Sequence, residues 1–187
     1  METEISKLQQ ESGYPYVINI DTANRTNPID GKIIMSNLCS EVLQVQKPSI
    51  INDAQEFVKM GTDISCNLGS TNVVNMMTSP DFGRSIKAMT RALTFVSDTS
   101  SIEAVPTIKH GNEQAHTFGL GAMGLHTYLA QNHIHYGSPE SIEFTNIYFM
   151  LLNYWTLVES NQIARERKQT FSQLCKNTSY ADGSYFV

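Results

Sequence analysis

The stretch that decides the fold of this chain is residues 36–42, which read SNLCSEV. The surrounding residues 32–45 are β-prone, so an extended backbone is expected there. Side chains alternate between the two faces of an extended chain, and Asn37, Cys39 and Glu41 are therefore expected to project to one side. An amide, a thiol and a carboxylate in one space would combine a sulfur reactant, an acid–base group and a group that positions a substrate.

A structural interpretation of the cysteines also stays open at this point. A cysteine in a strand is most often a small buried residue, and a neighbouring glutamate is usually solvated. The second cysteine stretch, DISCNLGS at residues 63–70, can be interpreted as a buried structural Cys66 beside a glycine bulge. Spacing alone does not say that Cys66 approaches Cys39.

Length and composition fit one ordinary domain. The chain has 187 residues, of which 41% are hydrophobic, and this is enough for a packed core. Charged residues make up 17%, below the roughly 25% typical of soluble domains. The shortfall indicates either a surface rich in uncharged polar residues or a surface that further polypeptide normally covers.

Charge and apolar patterning argue against several classes of protein. The net charge is −5 without lysine or arginine clusters, so a nucleic-acid backbone is not an expected partner, whereas a nucleotide ligand stays possible. Residues 1–5 do not open a signal peptide. The apolar run 144–158 is shorter than the ~20 residues of a membrane span and is interpreted as a buried helix. Three cysteines without zinc spacing indicate a reducing cytoplasm and no structural zinc site.

Strands are predicted mainly in the first half of the chain and helices in the second, which indicates an α/β fold class. The first half is expected to begin with a strand at 14–20, near whose start Pro15 lies, followed by a turn region at 21–31. Two extended elements are expected at 32–45 and 62–76. A polar connection at 48–61, with room for a short helix, is expected to join these two extended elements.

The second half is expected to be helical. Residues 79–81 open a helix, a glycine-rich stretch at 118–130 enters another, and Ser138 caps a long helix that ends near Arg167. Pro106 is expected to end the element before it. Apolar residues spaced by three and four predict one buried face on each of two helices. For the helix that opens at 79–81 the face is Ile86, Met89, Leu93 and Val96. For the helix that begins at Ser138 it is Ile142, Tyr148, Leu151, Trp155 and Val158.

Several motifs in one order resemble the large subunit of class I ribonucleotide reductases, and the class Ib branch most of all. SNLCSEVLQV at 36–45 and DISCNLGSTN at 63–72 look like the active-site region of that family. The similarity covers residues 11–186 and continues through ESGYPYV, NRTNPIDGKI, SPDFGR, GLGAMGLHTYLA, YGSPES, TNIYF and ARERKQTF.

This resemblance implies a fold and roles for the candidate residues. The chain would be a single partial catalytic barrel domain, residues 1–187, from a ten-stranded α/β barrel, with a central finger loop at about 31–45 and a helical region at about 80–170. Cys39 would carry a transient thiyl radical that removes the ribose 3′ hydrogen. Glu41 would accept the 3′-hydroxyl proton, Asn37 would hydrogen-bond the ribose, and Cys66 would be one of two thiols that end as a disulfide.

The resemblance also implies partners and the source of the radical. No cofactor or metal would be bound directly by this chain, because a small (beta) subunit with two metal ions supplies the radical. A nucleoside diphosphate would be the substrate, and a thioredoxin- or glutaredoxin-type protein the reductant. Missing N- and C-terminal pieces of the large subunit would complete the site, and nucleotide effectors would bind on them.

The chain departs from the family pattern where parts of the active site have no counterpart. The second redox cysteine, the phosphate-binding loop, the paired tyrosines of the radical path and the C-terminal cysteine pair are not found. Cys175 does not match the missing cysteine and is interpreted as structural or incidental. The chain alone is therefore expected to be inactive, either as one piece of a split enzyme or as an inert remnant or assembly module.

A dinucleotide-binding oxidoreductase is the main rival, because residues 119–124 match GxGxxG. That fingerprint needs a buried strand before it and an acidic residue about 20 positions later at a strand end. Residues 112–117 do not read as a buried strand, and Glu140 lies at a helix start, so the glycines are interpreted as allowing close helix packing. The histidines are interpreted as structural or surface residues: His110, His116, His126, His133 and His135.

Overall fold

Helices and short strands make up most of the computed structural model, which describes residues 2–65, 67–100, 102–168, 175–176 and 178–186. In chain order the helices are α1 (Glu2–Ser12), α2 (Ile20–Arg25), α3 (Val73–Thr78), α4 (Phe82–Thr99), α5 (Pro106–Ala115), α6 (Leu125–Gln131), α7 (Pro139–Glu166) and α8 (Ser179–Asp182). The strands are β1 (Ile50–Ile51), β2 (Phe57–Lys59), β3 (Asn67–Asn72) and β4 (Phe118–Met123).

Two parallel strands, β3 and β4, pair along their whole length, beginning with Asn67 opposite Phe118. A Cβ at Gly119 would lie 2.7 Å from Cδ2 of Leu68, so a larger residue there would displace that side chain. The glycine-rich stretch predicted to enter a helix is therefore mostly a strand, and only α6 after it is helical. The prediction was wrong because residues 118–123 find a parallel partner in β3, which the glycine content alone does not indicate.

Helices α4 and α7 cover one face of the β3–β4 sheet. The hydroxyl oxygens of Thr71 on β3 and Tyr148 on α7 lie 3.0 Å apart. The opposite face is open, and 58% of Leu68 is exposed there. The core lies where α3, α4 and α7 meet, and it consists of Val73, Met76, Ile86, Tyr148 and Leu152.

The two predicted helix starts are confirmed by their caps. The Asp81 carboxylate accepts a hydrogen bond of 2.8 Å from the backbone amide of Arg84 at the start of α4. The Ser138 hydroxyl accepts one of 3.3 Å from the amide of Ser141 at the start of α7. Such side-chain acceptors satisfy amides that have no partner within the helix.

The predicted buried faces are only partly right. Ile86, Leu93 and Tyr148 are buried, but 44% of Val96 and 55% of Ile142 are exposed. Polar residues take some of the buried positions, since their hydroxyl groups find partners inside the protein. On α4 and α7 the buried positions include Thr90, Ser97, Ser141, Leu152, Glu159 and Ile163.

Ion pairs join α4 to the end of α7. Arg91 donates two hydrogen bonds of 2.8 Å to the carboxylate of Glu166 and lies 2.5 Å from the carboxylate of Glu159. Arg167 forms a second bidentate pair with Asp98. These contacts fix the far end of the helix layer, where the apolar core has ended.

The N-terminal third contradicts three element predictions. Residues 14–19 are irregular rather than a strand, and α2, which begins at Ile20, occupies much of the predicted turn region. Residues 48–61 form the β1–β2 hairpin instead of a helix, with Lys59 opposite Ile50. A β-prone run without a neighbouring strand cannot satisfy its backbone by sheet pairing, which explains the first error.

The α/β fold class is confirmed, and the described residues do not form a closed barrel. They contain two sheets of two strands each, β1–β2 and β3–β4. The region 80–170 is mainly helical as expected, apart from β4. In the portion of the chain that is described, none of the helices has the length and apolar character needed to cross a membrane.

Candidate functional site

The cysteine loop, residues 31–47, is a hairpin-like excursion that carries Cys39 near its tip. Its two limbs meet through an antiparallel bridge between Ser36 and Leu43. Nearer the base, the amide of Gln46 donates to the carbonyl oxygen of Lys32 at 3.4 Å. This loop covers the residues for which a finger loop is expected, about 31–45, and its identity as a finger loop stays a prediction.

The tip of the cysteine loop is a turn, so the alternation argument for Asn37, Cys39 and Glu41 is wrong. The Ser40 amide donates to the carbonyl oxygen of Asn37 at 3.1 Å, and Ser40 has φ of 65°. The Asn37 side-chain oxygen accepts from the amide of Val42 at 3.0 Å. The chain therefore reverses direction between residues 37 and 42, because hydrogen bonds within this turn, and not bonds to a neighbouring strand, hold its backbone.

Side chains outside the cysteine loop anchor its first limb and its base. The Asn24 amide on α2 both accepts from the Ile33 amide at 2.9 Å and donates to the Ile33 carbonyl at 2.8 Å. At the base, the amide of Lys47 donates to the Thr62 hydroxyl at 3.1 Å. The first limb and the end of the loop are therefore attached to the scaffold independently of each other.

A cavity of about 300 Å³ lies beside the second limb of the cysteine loop, at the N-terminal ends of β3 and β4. Glu41 lines this cavity from the loop, Ser65 from the segment before β3, and Thr117 from the segment before β4. Its other lining residues are Asn27, Ile29, Val42, Leu43, Gln44, Val45, Ala115, Phe118, Gly119 and Cys175. The cavity thus combines a carboxylate, two amides and hydroxyl groups with an apolar wall.

Helix α5 holds the segment that leads to Cys66. The buried side-chain oxygen of Asn112 accepts from the hydroxyls of Ser65 at 3.1 Å and Ser97 at 2.6 Å. The Thr107 hydroxyl donates to the carboxylate of Asp63 at 2.5 Å. Cys66 itself lies outside the described residues, so the prediction for its redox role stays a prediction.

Cys39 lies at the surface, and its charge affects the pKa of one tyrosine, Tyr16. Its thiol is exposed and free, and the rings of Tyr14 and Tyr16 stack with centroids 5.0 Å apart. The pKa of Tyr16 is raised by its side-chain hydrogen bond with Tyr14, then by burial, then by the charge of Cys39. Cys39 is not among the residues that line the cavity.

Cys175 is buried and lines the cavity that Glu41 also lines. Burial raises the pKa of the Cys175 thiol, so at neutral pH it is held in its protonated form. The interpretation of Cys175 as structural or incidental stays a prediction.

The glycines of the GxGxxG match do not lie where a dinucleotide-binding loop needs them. Gly119 and Gly121 lie within β4, paired opposite Leu68 and Ser70. A phosphate-binding loop needs such glycines after the strand, at the start of a helix. Among the described residues, no three histidine, cysteine, aspartate or glutamate side chains gather into a group able to hold a metal ion.

Sequence reasoning missed the polar residues that support the cysteine loop and the cavity. Gln44 is buried, and its side-chain oxygen accepts a 2.9 Å hydrogen bond from the Thr117 hydroxyl. The available signal was a glutamine between the apolar Leu43 and Val45, a place where a buried amide needs a partner. Its partner is 73 positions away and could not be identified without the fold.

Comparison with known proteins connects this arrangement to one family. The family model described as "Ribonucleotide reductase, barrel domain" matches residues 1–187. The chain is 46% identical over 183 residues to the ribonucleoside-diphosphate reductase subunit alpha of Mycoplasma pneumoniae, covering 97% of this chain and 25% of that protein. It is 42% identical over 185 residues to the subunit alpha of Bacillus subtilis, covering 98% and 26%.

A solved structure gives the same likeness at the level of the fold. The Actinobacillus ureae class Id ribonucleotide reductase alpha subunit matches with a TM-score of 0.72 and 21% identity. The match covers 98% of this chain and 33% of that one. The chain thus spans about a quarter of the length of the curated relatives that it matches.

Proposed function

Because this chain belongs to the ribonucleotide reductase barrel-domain family, we propose that it supplies part of the active site of a ribonucleoside-diphosphate reductase alpha subunit. The reaction replaces the 2′-hydroxyl of a ribonucleoside diphosphate with hydrogen. Two thiols are oxidised to a disulfide, and the hydroxyl oxygen leaves as water, which balances the two electrons.

Each candidate residue has a separate task in this proposal. The Cys39 sulfur, as a thiyl radical, takes the 3′ hydrogen atom and becomes a thiol, leaving the radical on the ribose. Glu41 accepts the proton of the 3′ hydroxyl as a general base. Asn37 donates a hydrogen bond to the ribose, and Cys66 is one of the two thiols that end as a disulfide.

The observation that carries the proposal is the shared cavity. Glu41 and Ser65 line the same space, and Ser65 is the residue directly before Cys66 in the chain. The acid–base group and the segment that bears the redox thiol therefore border one site large enough for a small polar ligand. This juxtaposition comes from residues far apart in sequence, as an active site on a scaffold requires.

Further polypeptide has to complete this site. Cys39 is exposed, and a radical on an exposed sulfur would meet water and solutes before it met a substrate. Helix α7 also shows apolar side chains on its outer side, as a helix does when both its faces are to be buried. These exposed residues are Ile142, Ile147, Phe149, Met150, Leu151 and Tyr154.

The proposed partners follow from these requirements. The remaining pieces of the alpha subunit would cover α7 and the cysteine loop, and the nucleotide effectors would bind on those pieces. A beta subunit with two metal ions would supply the radical, so this chain would bind no cofactor itself. A thioredoxin- or glutaredoxin-type protein would reduce the disulfide.

A second candidate function, an inert assembly module, is favoured by the exposed position of Cys39. In that case the chain would join other pieces of a reductase without turning over nucleotides. Co-expression with the remaining pieces of the alpha subunit separates the two functions. A complex that reduces nucleoside diphosphates with the beta subunit supports the enzyme, whereas a complex without turnover supports the module.

Substitution of Glu41 tests the acid–base role in such a complex. Glu41→Gln is expected to lower kcat by about a hundredfold or more with little change in nucleotide affinity, because general-base catalysis contributes at about that level. Glu56→Gln is the matched control, since Glu56 is exposed on the β1–β2 hairpin and bonds to Asn52. Equal losses of kcat and affinity in Glu41→Gln would contradict the assignment and indicate a binding role.

A further inference from the structure

A buried polar contact links the cysteine loop to the wall of the cavity. The Thr117 hydroxyl donates a 2.9 Å hydrogen bond to the side-chain oxygen of Gln44. Only 8% of Gln44 is exposed, and its neighbours Val45 and Gln46 are buried as well. The proposed reaction assigns no task to either side chain.

The two partners of this contact belong to different parts of the site. Gln44 follows Glu41 by three positions on the second limb of the cysteine loop. Thr117 lies between α5 and β4, directly before Phe118, and both of these residues line the cavity. The hydrogen bond therefore fixes the limb that carries Glu41 to the wall that Glu41 faces.

The free energy of this hydrogen bond favours one placement of the second limb. A buried amide oxygen without a donor costs about 1–3 kcal/mol, so the limb favours the one placement in which Thr117 satisfies Gln44. Of the apolar residues beside it, Val45 is buried and 44% of Leu43 is exposed. Asn24 fixes the first limb at Ile33, and Gln44 does the same for the second.

We propose that Gln44 is a positioning residue for the proposed reduction, and that its hydrogen bond with Thr117 holds the Glu41 carboxylate on the cavity. The inference rests on the proposed function for its catalytic consequence. Its structural half, that the contact orders the second limb, stands on the hydrogen bond and the burial alone.

The test uses the chain assembled with the remaining pieces of the alpha subunit and with the beta subunit. Thr117→Val removes the donor and keeps the shape, and Thr117→Ser restores the hydroxyl. Thr94→Val is the matched control, because the part-buried Thr94 hydroxyl donates at 2.8 Å to Thr90 within α4. Gln44→Met, alone and combined with Thr117→Val, completes a double-mutant cycle.

Hydrogen exchange is the first measurement, since it does not depend on activity. Thr117→Val is expected to speed exchange in a peptide covering 37–46 by about fivefold or more, with no change in peptides from α7. Thr117→Ser and Thr94→Val should match the unsubstituted chain there. Unchanged exchange in Thr117→Val would overturn the proposal.

Steady-state kinetics is the second measurement. Thr117→Val is expected to lower kcat for nucleoside diphosphate reduction by about tenfold, with KM changing by less than about twofold. Thr117→Ser should recover most of the rate, and the double variant should lose no more than either single variant. A wild-type kcat in Thr117→Val despite faster exchange would overturn the catalytic role. An unsubstituted assembly that reduces no nucleotide contradicts the proposed function, while the exchange result still decides whether Gln44 orders the limb.

Discussion

The helix layer of α3, α4 and α7 and the cysteine loop are ordered by different forces. In the layer, Val73 and Ile86 are fully buried, whereas 92% of Leu38 at the loop tip is exposed. The loop is held by individual hydrogen bonds such as that of Asn37 with Val42. The layer therefore sets the stability of the chain, and the loop can change its chemistry at small cost to the fold.

The largest expected effect separates the two regions by stability. Ile86→Ala should lower the free energy of unfolding by about 3 kcal/mol, because it leaves a cavity in the core. Leu38→Ala should change it by less than about 0.5 kcal/mol, since the side chain is exposed. Urea unfolding followed by circular dichroism measures both. A Leu38→Ala loss as large as that of Ile86→Ala would show that the loop belongs to the core.

Thiol reactivity gives the second contrast. Cys39 is exposed, whereas Cys175 is buried with a raised pKa, so alkylation of Cys39 by iodoacetamide at pH 8 should be about a hundredfold faster. Peptide mass spectrometry over time measures the two rates in one sample. Similar rates would contradict the burial of Cys175. In urea, which unfolds the chain and exposes both thiols, the two rates should become similar, and this is the control.

A moderate effect is expected where the layer meets the segment before Cys66. Asn112→Ala should destabilise the chain by about 2 kcal/mol, since the buried hydroxyls of Ser65 and Ser97 lose their acceptor. Asn146→Ala is the control, because Asn146 is exposed on α7. Thermal unfolding of the two variants compares them, and equal melting temperatures would refute the role of this network.

The smallest effect concerns pH at the end of the layer. Hydrogen bonds from Arg91 first, and then from Gln162, lower the pKa of Glu166 from 4.5 to about 2. Because the folded pKa is depressed, this stabilisation is present above about pH 4.5 and is lost as the pH falls toward 2. The free energy of unfolding, measured in urea across that pH range, should fall more steeply with decreasing pH in the wild type than in Glu166→Gln. Since the carboxylate is half exposed, 1 M salt should reduce the difference, and identical pH profiles would contradict it.

Local signals predicted the layer better than the loop. The caps Asp81 and Ser138 mark real helix starts because capping depends on neighbouring residues alone. The buried faces were harder, since Thr90 and Ser97 are buried through hydrogen bonds that hydrophobic periodicity does not register. The α5 helix, which begins at Pro106, has no counterpart among the predicted elements.

The geometry of the candidate site was not predictable from the sequence, and the roles of its residues stay predictions. The SNLCSEV stretch identified Cys39 and Glu41 as candidates, yet the alternation expected of a strand fails because Asn37 closes a turn. The strand β4 was missed because its partner, β3, lies about 50 positions earlier in the chain, as the bond from the Thr71 hydroxyl to the Gly121 carbonyl shows. Hydrogen bonds within residues 37–42 decided the first case, and pairing with a distant strand decided the second.

Activity of the Cys39→Ser variant in the assembled enzyme tests the central claim most directly. The measurement is deoxynucleoside diphosphate formed per minute by the chain, the remaining alpha-subunit pieces and the beta subunit. We expect Cys39→Ser to assemble and unfold like the unsubstituted chain and to form no product above background, because a serine hydroxyl cannot replace the sulfur that abstracts the 3′ hydrogen. Product formation at the unsubstituted rate would contradict the account.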